Sequence, residues 1–262
     1  MISRVTTDLQ TEAPGLAIQA CIAQHQGDRA HQQDRVALLR GRRAPRCVLA
    51  VVADGVGGRS GGELAASEVV ATAQRRFDEF GPGDPVTRFF EDLVGEIHVV
   101  LQIAAATVQL EPHATLAALL VQPHRVDWCH VGDSRVYHVR EHQVLARTVD
   151  DTFLEQMLSG NRVDASRARL HPSAALLTQA LGGPQAPCPH IAGEAAPRAG
   201  DTFVLCTDGV WGRLSDEEIA DGLASPSPRD AAAALLGVAR ERAGGKGDNC
   251  SLLVLKLAAL AV

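Results

Sequence analysis

Aromatic residues are scarce in this chain. Six Phe, two Trp and one Tyr make up 3% of 262 residues, so the core has to be assembled from Ala, Val and Leu. The six cysteines (Cys21, Cys47, Cys129, Cys188, Cys206 and Cys250) contain no Cys-x-x-Cys pair. Five of them lie in or beside strand-like runs, where a reduced thiol packs as a small hydrophobe, and this excludes a disulfide or zinc framework built on cysteine. Lys and Arg form no long stripe, and the formal net charge is −6; nucleic acid is not an expected partner. The opening segment MISRVTTDLQTEAPG has no apolar stretch of the signal-peptide kind. The longest apolar tail, Leu252–Val262, is broken by Lys256 and too short to span a bilayer. These absences lead to the expectation of a cytoplasmic, monomeric protein without a membrane partner. No internal repeat and no separating linker is visible. Residues 15–262 therefore read as one domain, behind a flexible leader at 1–14 and with an inserted flap subdomain at about 150–187.

What the chain does have is apolar, β-prone runs that meet an aspartate beside glycine, serine or asparagine. They are AVVADG (Ala50–Gly55), CHVGDSR (Cys129–Arg135), FVLCTDG (Phe203–Gly209) and, in reverse, GDNCSLLVL (Gly247–Leu255). A buried strand that finishes in a carboxylate delivers it to the rim of a sheet. Four such deliveries from distant segments describe one acidic pocket, suited to hard metal ions. Taken singly, each Asp-Gly is an ordinary turn dipeptide.

Between these runs the patterning predicts strands at 15–24, 35–40 and 46–54, the last apolar on both faces and hence central. Helical spacing follows at 63–77. GPGDP breaks it, and Asp84–Pro85 can cap a second helix to about Leu110. Strands at 114–121, 126–131, 135–140 and 143–149 read as an antiparallel meander. A short helix at 152–159 precedes an irregular stretch. DTFVLCTD is a strand, Ser215 and Glu218 form a capping-box pattern, 227–243 is an alanine-rich helix and 249–257 closes the chain as a strand. Strands and helices are segregated rather than alternating. The expected class is α+β: a four-layer α-β-β-α sandwich of two antiparallel sheets flanked by helices.

Other residues invite chemistry and are read more plainly. The ten histidines include no HExxH and no close Cys/His pairing; His130 and His138 read as ordinary partly buried residues and His171 as structural. Gly57, Gly58, Gly61 and Gly62 lack the Lys-Ser/Thr of a phosphate-binding P-loop and read as a flexible strand-to-helix turn. Trp128 and Trp211 read as core or rim packing.

Together with Arg29-x-x-x-Gln33-Asp34, TVDDTFLEQMLSGN (Thr148–Asn161) and HPSAALLTQALGG (His171–Gly183), the four runs resemble, in order and spacing, the metal-dependent serine/threonine phosphatases of type 2C, the PPM class, in their bacterial form. The resemblance extends from about Gly15 to Leu257. It implies hydrolysis of phosphoserine and phosphothreonine in proteins, with two Mn²⁺ or Mg²⁺ ions and a water or hydroxide between them as nucleophile. By the same resemblance Asp54 bridges the two ions with the Gly55 carbonyl as a further ligand. Asp208 and Asp248 hold the first ion, Asp34 lies at the second, and Asp133 recruits a third, weaker one. Arg29 grips the substrate phosphate, and Asn249 orients Asp248 or a metal-bound water. The implied partners are a phosphorylated protein and a cognate Ser/Thr kinase. The chain departs from the family pattern at several points: Gln32-Gln33 precedes Asp34, Val56 stands where animal members have histidine, Arg59 where bacterial members often have histidine. His113-Ala114-Thr115 replaces Gly-Thr-Thr, and Ala174-Ala175 replaces Arg-Asn. The alternative these departures motivate is a pseudophosphatase that binds a phosphoprotein or kinase without catalysis.

Overall fold

The structure, a computed structural model, describes residues 12–13, 16–56, 61–160, 164–194 and 196–259. Four strands come first: β1 (Glu12–Ala13), β2 (Leu16–His25), β3 (Asp34–Arg40) and β4 (Val48–Asp54). Helices α1 (Gly62–Glu79) and α2 (Val86–Val108) follow, then strands β5 (Leu116–Gln122), β6 (Arg125–Val131), β7 (Arg135–Arg140) and β8 (Gln143–Arg147). Short helices α3 (Phe153–Ser159) and α4 (Ala165–Arg169) lead to strand β9 (His190–Glu194). The chain closes with β10 (Thr202–Cys206), α5 (Asp208–Trp211), α6 (Asp216–Gly222), α7 (Pro228–Ala243) and β11 (Cys250–Ala259).

The strands form two antiparallel sheets, in the orders β1-β2-β11-β10-β7-β8 and β3-β4-β5-β6-β9. Strand β4 shows why they stack. Its residues alternate between two buried sides: Val48, Ala50 and Val52 pack against Phe203, Leu253 and Leu255 of the other sheet. Leu49, Val51 and Ala53 pack against Val69, Phe77, Phe90 and Ile97 of α1 and α2. A strand covered on both faces has no polar side, and this is the origin of its unbroken apolar run. On the opposite outer face, Ile219 and Leu235 of α6 and α7 cover Tyr137, Val204, Leu252 and Val254. The layers run α-β-β-α, as the segregation of elements predicts.

Local chemistry sets the helix ends. Ser215 accepts the Glu218 N–H and the Glu218 carboxylate accepts the Ser215 N–H, so the capping box of α6 is formed. Ser227 caps α7 ahead of Pro228. Asp84 does not cap α2: its Oδ2 turns back to accept the Gly81 N–H at 2.7 Å, closing the preceding turn, and α2 starts without a side-chain cap.

Three features differ from the sequence expectation. Strands 5 to 8 do not form one meander. They are two hairpins in separate sheets, because the chain crosses between layers at Gly132, whose φ of 91° favours glycine. Strand β9 has no clear alternation of its own and takes its register from β6. Helix α4 adds a turn within the expected flap, where Leu170 and Leu176 are exposed. Most of the expected leader lies outside the described residues; its Glu12 and Ala13 pair with Ala17 and Leu16 of β2. Among the described residues no helix is long and apolar enough to cross a membrane.

Candidate metal centre

The two sheets present their aspartates from the same kind of place, the ends of buried strands. Asp54 ends β4 and lies opposite Asp34, the first residue of β3. Asp208 opens α5 just beyond β10, Asp248 stands two residues before the first residue of β11, and Asp133 sits in the crossing between β6 and β7. Backbone and hydroxyl donors fix these ends. Thr207 Oγ1 donates to Asp34 Oδ2 at 3.0 Å. Thr115 Oγ1 accepts the Asp54 N–H at 3.0 Å and lies 2.7 Å from Ser134 Oγ. Trp211 Nε1 donates to the Asp133 carbonyl at 2.9 Å, while the Arg135 guanidinium lies 3.5 Å over its ring and grips Asp150 through two nitrogens. Trp211 is thus a clamp on the segment that carries Asp133.

Loop 26–33 is stitched to the start of β11 by one amide. Asn249 Nδ2 donates to the carbonyls of Gln26 (2.6 Å) and His31 (2.9 Å), and Asn249 Oδ1 accepts the Gln33 N–H at 2.7 Å. Toward Asp248, Asn249 offers its backbone N–H, which donates to Asp248 Oδ1 at 2.8 Å. Asp28 adds a second stitch, accepting the Gly247 N–H at 2.6 Å. The fit is close: a Cβ at Gly27, whose φ is 70°, would meet the Asp248 carbonyl oxygen at 2.0 Å, and one at Gly209 the Asn249 carbonyl oxygen at 2.0 Å. Both glycines let two strand ends approach within contact.

The electrostatics follow from putting these groups together in little water. Burial raises every one of the following carboxyls, and the neighbouring carboxylates add to it. Asp34 is pushed up to about 7, with Asp208 and Asp248 contributing. Asp133 is pushed to about 7 and Asp208 to about 6. Asp54 is held well above the carboxylate range by burial and by all four others, Asp34, Asp208, Asp133 and Asp248. Five side chains from five segments therefore share one field. Arg29 offsets part of it: its guanidinium lies 2.5 Å from Asp248 Oδ2 and is 52% exposed at the rim. Among the described residues Asp208 Oδ1 is buried without a hydrogen-bond partner, an oxygen left free for another ligand. An all-oxygen set with surplus negative charge suits Mg²⁺ or Mn²⁺.

Every aspartate singled out from the sequence thus belongs to this cluster, with Arg29 at its edge. Gly55 belongs to it by backbone, its N–H bonded to the Gln33 carbonyl at 3.2 Å, and a Cβ there would strike the Gly62 carbonyl oxygen at 2.1 Å. Arg59, Gly57 and Gly58 lie outside the described residues. Thr115, Thr207, Asp28 and the clamp function of Trp211 escaped sequence reasoning, since each works through a partner remote in the chain. Beside Val56 a cavity of about 720 Å³ opens between His113 and the segment from Ala175 to Pro187.

Residues 23–237 match the family model described as Protein phosphatase 2C. The chain is 33% identical over 215 residues to the serine/threonine protein phosphatase PstP of Mycobacterium tuberculosis, a match that covers 79% of this chain and 40% of the length of that protein. Its fold is similar to the crystal structure of the Mycobacterium tuberculosis phosphatase PstP/Ppp, with a TM-score of 0.80 and 29% identity over 92% of this chain and 99% of that one. It is also similar to the PstP catalytic domain in complex with two manganese ions, with a TM-score of 0.78 and 29% identity over 93% and 99% of the two chains.

Proposed function

The chain belongs to the protein phosphatase 2C family, and from that premise we propose that it hydrolyses phosphoserine and phosphothreonine in proteins. The observation that carries this is the convergence of Asp34, Asp54, Asp133, Asp208 and Asp248 into one field, with a free, buried oxygen on Asp208. Asp34, Asp54, the Gly55 carbonyl, Asp208 and Asp248 would hold two Mn²⁺ or Mg²⁺ ions, as a related catalytic domain holds two manganese ions, and Asp133 a third, weaker one. Such a pair supplies positive charge for a phosphate dianion and lowers the pKa of a coordinated water.

The chain's own residues supply the rest. Thr115 anchors the Asp54 backbone through its N–H, and Thr207 donates to Asp34 Oδ2 and so directs that oxygen. Arg29, half exposed and paired to Asp248, can turn its planar donors to phosphate oxygens as substrate arrives. Asn249 holds the loop on which Arg29 rides, which limits how far it can stray. Val56, next to Gly55, has no proton to give, so the departing alkoxide takes its proton from solvent at the open rim. The cavity beside Val56 accommodates residues flanking the phosphorylated side chain. A Ser/Thr kinase that phosphorylates the same targets is the expected counterpart.

The test is turnover of p-nitrophenyl phosphate and of a phosphothreonine peptide after chelation and re-addition of Mn²⁺. Hydrolysis should depend on Mn²⁺ and be lost in Asp208→Asn. Full Mn²⁺ uptake with tight phosphopeptide binding but no turnover would instead favour a non-catalytic phosphoprotein-binding module.

A further inference from the structure

Three side chains outside the carboxylate centre have the chemistry of a different metal site. His130 comes from β6, Asp151 from the turn before α3 and His190 from the start of β9. One ligand atom from each residue lies within 4.8 Å of those of the other two. The two imidazole rings are stacked, with centroids 4.9 Å apart and planes 23° apart. His190 Nε2 lies 2.9 Å from Asp151 Oδ1.

The partners behind these atoms are as informative as the atoms themselves. His130 is 4% exposed. Its Nε2 lies 2.8 Å from the Val149 carbonyl, which can only accept, so Nε2 carries the proton. That leaves Nδ1 as a bare lone pair, and it is buried with no hydrogen-bond partner among the described residues. Burial also lowers the His130 pKa, which keeps the ring neutral. Asp151 is similarly oriented from behind: its Oδ2 accepts the Gly132 N–H at 2.9 Å, and Gln179 Nε2 donates to Oδ1 at 2.9 Å. Imidazole N–H to carbonyl and carboxylate to backbone N–H are the outer contacts that orient metal ligands. A cavity of about 550 Å³ reaches the cluster between Thr148, Glu155 and Ile191, so an ion has a way in.

We propose that His130, Asp151 and His190 form a structural site for a zinc-class divalent ion, which fastens the base of the 150–187 segment to the five-stranded sheet. Two nitrogens and one oxygen suit Zn²⁺, whereas Mg²⁺ prefers oxygen alone. On binding, the ion takes the place of the proton between His190 Nε2 and Asp151 Oδ1, that proton passes through water to His190 Nδ1, and the ion takes up the idle lone pair of His130 Nδ1. Water completes the coordination from the cavity.

The experiment uses the full chain, stripped by chelator and dialysed against micromolar Zn²⁺ under a large excess of Mg²⁺, which keeps the carboxylate centre filled. Wild type should retain one equivalent of zinc. His190→Ala should bind it more than about 100-fold more weakly, since losing a direct ligand exceeds the 10–100-fold cost of losing an outer contact. The His190 side chain is 52% exposed, so this variant keeps its core, and an unchanged far-ultraviolet dichroism spectrum verifies that. Asp208→Asn should retain the zinc equivalent. Zinc should also slow amide hydrogen exchange between residues 150 and 160 in wild type and not in His190→Ala. Equal zinc uptake by wild type and His190→Ala overturns the proposal, as does uptake that vanishes in Asp208→Asn but persists in His190→Ala.

Discussion

The carboxylate centre and the His130–Asp151–His190 cluster are near neighbours, joined through the Gly132 N–H that Asp151 accepts one residue before Asp133. They are built on opposite electrostatic terms. In the first, burial and neighbouring carboxylates raise Asp34, Asp54, Asp133 and Asp208, and Arg29, at the rim, is ion-paired with Asp248. In the second, almost every polar atom named has a partner, and one neutral lone pair is idle. Groups that repel one another in a buried place require cations to be stable as ions. Groups already satisfied by hydrogen bonds can take a cation or stand without one. The contrast teaches that the first site depends on its ions for both chemistry and local stability, and that the second is an optional fastening.

The largest expected effect separates the two by activity. Asp54→Ala removes the carboxylate that all four others act on, and phosphatase turnover should fall by roughly 10³-fold or more, the scale of losing several kcal/mol of metal-based charge stabilisation. Zinc uptake under excess Mg²⁺ should stay at one equivalent. Loss of that equivalent in Asp54→Ala would merge the two clusters into one electrostatic unit and break the comparison.

A smaller effect concerns stability without metal. In the unfolded chain the carboxyls ionise near the ordinary 3.8, but in the folded protein Asp34 and Asp133 keep their protons to about 7 and Asp208 to about 6. Between those limits the unfolded state binds fewer protons, so the stability of the chelated protein should fall as pH rises from about 4 to about 7. Added Mn²⁺ should abolish that decline. Asp34→Asn removes one buried charge and should stabilise the chelated protein at pH 8 by roughly 2 kcal/mol while lowering activity. Urea unfolding at pH 5 and pH 8 measures both. Chelated wild type that grows more stable toward pH 8 would show that the carboxylates are already compensated.

The same contrast explains what could be seen in the sequence. Strand β4 was legible because burial on both faces leaves a continuous apolar run, and its terminal Asp-Gly marks where the run meets the rim. The capping box at Ser215 was legible because it is local. Asp54, Asp133, Asp208 and Asp248 could be singled out because each is attached to such a strand end, whereas Asp34 enters only through the family resemblance. Their convergence depends on two sheets stacking, which no single window contains. Strand β9 was missed because its pairing comes from β6 and not from its own pattern. The histidine cluster stayed hidden for the same reason: His130 and His190 meet only through that pairing, at its His130–His190 register position. The 84-to-85 cap was misread because Asp84 found a nearer donor at Gly81.

The smallest expected effect should touch neither cluster. Ser215 caps α6, which packs on the outer face of the six-stranded sheet. Ser215→Ala leaves the Glu218 N–H without its side-chain acceptor and should cost about 1 kcal/mol. The urea midpoint should drop with an unchanged slope, since the surface exposed on unfolding is the same. Mn²⁺-dependent turnover and zinc uptake should both match wild type, because the cap holds a helix and no ligand-bearing strand end. A change in either metal titration would mean that the α6 layer transmits to the strand ends, and the two sites would then have to be treated as parts of one cooperative scaffold rather than as separately built centres.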